Sequence, residues 1–90
     1  MRLGYDPEKN PRNIRERGLS FDDVALLHWD TAIERQDTRA DYGEDRFQAL
    51  VSGPDSKPYV VVYTVRGATM WIISFRRANT RESRSYDQKA

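Results

Sequence analysis

The chain contains no cysteine, a single histidine and no apolar run longer than a few residues. Without cysteine there is no disulfide framework, no cysteine-based zinc site and no thiol nucleophile. Any Ser-His-Asp arrangement has to be built around His28. No segment is long enough to span a bilayer or to form a signal-peptide core, so no membrane association and a cytoplasmic location are expected. There is no Walker loop, no G-x-G-x-x-G and no internal repeat. At 90 residues there is room for one domain, 1–90, and for one thin core.

What the sequence has in quantity is charge. Charged residues make up 32% of the chain, yet the net charge is only +1. The distribution is uneven: residues 1–18 carry +2, residues 19–56 carry −6 and residues 57–90 carry +5. Such a chain can present a basic face without being basic overall. A basic face suits a polyanion, and an acidic middle suits a basic partner docking elsewhere. Two ordinary solvated surfaces would give the same numbers.

Met1–Tyr5 reads as a short first strand. Asp6-Pro7 and Asn10-Pro11 are successive helix-start signals, which predict either a turn and then a helix from Pro11 or one bent start. Gly18 reads as the helix end. Ser20 reads as the cap of a second helix, with Phe21, Val24, Ala25 and Leu27 at helical spacing and His28 packed in register. Thr31–Gln36 is a weak strand and Asp37–Gly43 a loop. Asp45–Ser52 alternates, with Phe47, Ala49 and Val51 on one side. Gly53–Ser56 is a turn. Tyr59–Val65 and Thr69–Arg76, joined by a short glycine turn, predict an antiparallel hairpin. Asn79 or Thr80 caps a last helix running through Tyr86. The expectation is an α+β fold with a short N-terminal strand, two helices, a three- to four-stranded antiparallel sheet and a C-terminal helix.

Few residues can carry chemistry. Asp22-Asp23 and the Asp41, Glu44, Asp45 group could hold a hard cation, but helix-capping and solvated-loop roles account for them, and no metal or cofactor is expected. The arginines between Ser74 and Arg84 stand out. Strand alternation sends Arg76 and Arg77 to opposite faces, and an arginine on a buried or cleft face needs an anion or an acid beside it. RNA cleavage asks little of a protein. The 2′-hydroxyl is already a nucleophile beside the phosphate, so orientation, proton transfer and charge stabilisation suffice. Arginine can supply the last, and glutamate or tyrosine can move protons.

Several motifs resemble, in order, those of the BrnT-type toxins. These are Tyr5-Asp6-Pro7-Glu8-Lys9, Asn13-Ile14-Arg15, Gly18-Leu19-Ser20-Phe21, Arg46-Phe47, Tyr59–Thr64 with Arg66-Gly67, and Ile72-Ile73-Ser74-Phe75-Arg76-Arg77-Ala78 followed by Arg81-Glu82 and Tyr86. The resemblance implies a RelE-like fold and a metal-independent ribonuclease that arrests growth as the toxin of a type II toxin–antitoxin pair. It implies a BrnA-type ribbon-helix-helix antitoxin as partner and operator DNA reached only through that antitoxin. On this basis Arg46, Arg76 and Glu82 are the catalytic candidates. Lys9, Arg17, Arg77, Arg81 and Tyr86 are the RNA-binding candidates. Two positions depart from the family pattern: its Lys-His-Gly is Glu16-Arg17-Gly18 here, and its Ser-Ala-Arg is Ser74-Phe75-Arg76. An arginine cannot take over proton transfer from a histidine. A module that binds an antitoxin or nucleic acid without catalysis is therefore the alternative. The antitoxin is expected to bury apolar surface near the active-site face, with charge guiding encounter.

Overall fold

A β-branched and aromatic run cannot satisfy its backbone alone, and here it does so in the middle of a sheet. In the computed structural model, which describes residues 2–89, β4 (Pro58–Arg66) lies between β3 (Arg46–Ser52) and β5 (Thr69–Arg77). The expected hairpin is present: Arg66 pairs with Thr69 across a two-residue turn. Gly67 takes the turn's first central position at φ +60°, where a side chain would be strained. β2 (His28–Asp37) pairs antiparallel with β3 and forms one edge.

The other edge corrects the expectation of a purely antiparallel sheet. β1 (Arg2–Tyr5) pairs parallel with the first half of β5, so the sheet is mixed and five-stranded, in the order β1-β5-β4-β3-β2. The chain then turns at Asp6 and enters α1 (Lys9–Arg17). The Asp6 carboxylate accepts from the Glu8 N–H at 3.0 Å, and its carbonyl accepts from the Lys9 N–H. Pro11 is the third residue of α1, within the first turn, where a missing N–H costs nothing. Gly18 closes the helix in the left-handed conformation, donating to the Ile14 carbonyl at 2.9 Å.

The second expected α-helix is a 3₁₀ segment, Phe21–Leu26, capped by Ser20. With three residues per turn, Phe21, Val24 and Leu27 line up on one side and are buried, while Ala25 is exposed. His28 is not packed on a helix. It is an exposed first residue of β2, opposite Ser52.

The core lies between the 3₁₀ segment and one face of the sheet, where Phe21, Val24 and Leu27 join Ala49, Val51, Val61, Tyr63, Ile72 and Phe75. Asn13 ties α1 to this layer: its side-chain amide donates to the carbonyls of Leu19 (2.9 Å) and Phe75 (3.1 Å). A bulge interrupts the β4–β5 register, with Val62 opposite Ser74 and Tyr63 opposite Ile72. The extra residue, Ile73, lets Ile72 and Phe75 face the same core. α2 (Thr80–Lys89) lies over the opposite face.

Candidate functional site

The face under α2 carries side chains that the core excludes. Strand pairing places Arg35 beside Gln48, Gln48 beside Val62 and Val62 beside Ser74. The next row runs Ile33, Leu50, Val60 and Arg76. Arg76 is only partly exposed and is matched by an acid from α2. Its two terminal nitrogens donate to the two Glu82 carboxylate oxygens at 2.8 and 2.9 Å. This fork-on-fork geometry is the strong form of the arginine–carboxylate pair.

Glu82 is aimed by the helix start. Asn79 accepts from the Glu82 N–H at 2.8 Å, and Glu82 accepts from the Asn79 N–H at 2.9 Å. This reciprocal capping fixes the first turn of α2 and delivers the carboxylate to Arg76. The Arg76 hydrogen bonds hold the Glu82 carboxyl below the usual range and raise the guanidinium in turn. At rest Glu82 is therefore an ionised acceptor.

A second pair faces the same cleft. Asp37 ends β2 with a carboxylate only 4% exposed, gripped by Arg39 through Nε at 2.9 Å and Nη2 at 2.8 Å. These bonds, led by Arg39, place the Asp37 carboxyl far below its ordinary range. Arg35, Asp37, Arg39, Gln48, Arg76 and Glu82 line a cleft of about 510 Å³. A second cleft of about 410 Å³ lies beneath α2, reached by Arg81 and Tyr86. Surfaces of this type can hold a phosphodiester: planar donors grip the oxygens, and a carboxylate can take a proton.

The sequence-selected residues are divided by the fold. Arg76 and Glu82 are together. Arg46 sits opposite Asp37 in the sheet, 4.0 Å above the Tyr42 ring, with its Nε buried and without a partner among the described residues. It borders the cleft region without lining the cleft. Arg17 reaches Ser74 Oγ and the Phe75 carbonyl, both at 3.4 Å, from the end of α1. Lys9 is exposed at the opposite end of that helix, about 12 Å along its axis. Arg77 is on the other face, 3.5 Å from Asp55 and above the Tyr59 ring. Arg81 is exposed on α2. Tyr86 is buried, donating to the Thr31 carbonyl at 3.2 Å. Phe75 points into the core beside Tyr59 and does not line the arginine cleft.

Arg35, Asp37, Arg39 and Gln48 were not selected from the sequence. Alternation along β2 marks Ile33, Arg35 and Asp37 as one face, but only the register brings that face beside Arg76. No group of three or more histidine or acidic side chains among the described residues could hold a metal ion.

A family model described as "Ribonuclease toxin, BrnT, of type II toxin-antitoxin system" matches residues 5–82. Among solved structures, the 1.1 Å crystal structure of the Brucella abortus ribonuclease toxin BrnT superposes with a TM-score of 0.70 at 25% identity. The match covers 89% of this chain and 99% of that one. No curated protein matches the chain.

Proposed function

Since the chain belongs to the BrnT family of ribonuclease toxins of type II toxin–antitoxin systems, we propose that it cleaves RNA without a metal ion on the face beneath α2. The observation that carries this reading is the Arg76–Glu82 pair, set in a cleft shared with Arg35 and Arg39. An RNA phosphate entering the cleft competes with Glu82 for Arg76. As the guanidinium turns to the phosphate, Glu82 loses the contact that depresses its pKa and becomes a better base. It then takes the proton of the 2′-hydroxyl as that oxygen attacks phosphorus. The P–O5′ bond breaks and the leaving 5′-oxygen takes a proton from water, while Glu82 gives its proton back to solvent, leaving a 2′,3′-cyclic phosphate and a 5′-hydroxyl end. Arg76 and Arg39 stabilise the charge on the phosphoryl oxygens. Arg46 supports the cleft from its Tyr42 stack, and Arg17, Arg81 and Lys9 extend the track for the RNA backbone.

In the cell this activity arrests growth in the cytoplasm. A BrnA-type ribbon-helix-helix antitoxin neutralises it and carries the pair to operator DNA. The test is induced expression together with an assay of purified protein on RNA in EDTA. Wild type is expected to arrest growth and to cleave in EDTA. Arg76→Ala is expected to lose about 10²–10³-fold in cleavage rate, as for removal of one transition-state donor. Cleavage that EDTA abolishes overturns metal independence, and full activity in Arg76→Ala overturns the site. Arg17, standing where the family has histidine, supports one second reading. A folded wild type that binds antitoxin but never cleaves is a binding module.

A further inference from the structure

Three acids of the chain's middle, Asp23, Glu34 and Asp55, lie on the face away from the arginine cleft, beside two of the large exposed apolar side chains. Leu26 is 61% exposed on the 3₁₀ segment, and Val65 is 45% exposed on β4. Two apolar grooves flank that segment. One, of about 540 Å³, is lined by Leu3, Ala25, Trp29, Tyr63, Val65 and Met70, with Glu34 at its rim. The other, of about 260 Å³, runs beneath Leu26 past Leu19, Leu27 and Phe75, with Asp23 and Asp55 at its rim. Neither groove is lined by a lysine or arginine, whereas both clefts under α2 are.

Two of the rim acids are held in place. Glu34 accepts a hydrogen bond from the Tyr63 hydroxyl. Asp55 accepts from Tyr59 at 2.6 Å and faces Arg77. Asp23 is exposed in the first turn of the 3₁₀ segment. The surface therefore offers two apolar troughs on either side of a low ridge, with fixed negative charge along them. Its complement is a protein segment whose aliphatic side chains enter the troughs and whose lysines or arginines meet the rim.

We propose that this ridge and its two grooves are the docking surface of the antitoxin, which contributes a segment of interleaved aliphatic and basic side chains. The proposal rests on the toxin–antitoxin reading above. It moves the expected contact to the opposite face from the arginine cleft, because Leu26 and Val65 stand exposed there beside grooves lined by acids and by no lysine or arginine. Binding and blockade are then separable: the segment anchors here, and the arginine cleft is covered only by chain that continues around an edge of the sheet.

The experiment measures the affinity of the purified chain for the antitoxin of its own operon, by calorimetry at two salt concentrations. Leu26→Arg and Val65→Arg put like charge against a basic segment at positions already exposed, so both variants should fold. Unchanged circular dichroism and melting confirm that they do. Each is expected to weaken binding at least tenfold. Both variants are also expected to arrest growth like wild type while escaping rescue by co-expressed antitoxin. Asp23→Lys is expected to weaken binding most at low salt. Arg39→Ala and Arg81→Ala on the other face are expected to bind normally. Wild-type affinity in both groove variants, with loss in Arg39→Ala or Arg81→Ala, places the antitoxin on the arginine face and overturns the proposal. A chain that cleaves no RNA but loses the antitoxin through Leu26→Arg upholds this surface while the ribonuclease reading fails.

Discussion

On the face beneath the 3₁₀ segment, Val61, Ile72 and Phe75 are sealed against Phe21 and Val24. On the face beneath α2, the sheet presents Gln48 and Arg76 to open clefts. One face holds by exclusion of water and close packing, and it tolerates no charge without a partner. The other holds arginines in place with carboxylates, which a competing anion can displace. A chain this small has only one apolar layer to give, and that layer lies on the side away from the Arg76–Glu82 pair. The cleft is thus built against a rigid floor, and its groups can exchange partners without loosening the core.

The sharpest way to break this comparison is to cut into each face separately. Phe75→Ala should cost about 3–5 kcal/mol, read from urea or thermal unfolding, because Phe75 is 1% exposed and its removal leaves a cavity. Comparable damage from Gln48→Ala would mean that the α2 face is structural too.

Acid should act on the other face. Asp37 and Glu82 are both held below the unfolded carboxyl value of about 4 by arginine hydrogen bonds. As pH falls through that region, the unfolded chain takes up protons that the folded chain refuses, so stability drops. The stabilisation is complete above about pH 5 and is lost as the pH approaches the depressed folded values. Unfolding midpoints between pH 7 and pH 3 should fall for wild type and fall less steeply for Asp37→Asn. Parallel curves would remove the pair from the pH response.

The smallest expected effect is at the helix start. Asn79→Ala should cost about 1 kcal/mol, seen as a shift of about 4–8 °C in the melting midpoint of a domain this size. It should also loosen Glu82 without disturbing the packed face. A loss as large as that from Phe75→Ala would show that α2 holds the sheet as firmly as the 3₁₀ segment does.

What could be read from the residues alone follows the range of the forces involved. The β4–β5 hairpin, the Gly18 helix end and the Asn79 cap are set by neighbours in sequence, and all were legible. The opposed directions of Arg76 and Arg77 follow from strand alternation. The parallel pairing of β1 was not legible, because a four-residue strand carries no mark of its partner. The 3₁₀ segment was misread as α-helix because Phe21, Val24 and Leu27 fit both periods until the exposure of Ala25 separates them. Arg35 and Arg39 were missed for the same reason as β1: their meeting with Arg76 depends on long-range register, which no local pattern encodes. His28 escaped its expected packing once β2 began three residues earlier than its apolar content suggested.

The bulge at Ile73 sets the phase of everything that follows it in β5. Strict alternation from Ile72 would bring Ser74 and Arg76 onto the core side and turn Phe75 outward. One surplus residue resets the count, so the guanidinium meets Glu82 and the ring meets Tyr59. The strand therefore carries a built-in spare. Loss of that single residue would restore plain alternation with Phe75 and Arg76 still on their present sides. A deletion anywhere within the regular run of β4 would exchange the two faces beyond it. Tolerance to length change in β5 is concentrated at one position, immediately before Phe75 of the core and Arg76 of the cleft.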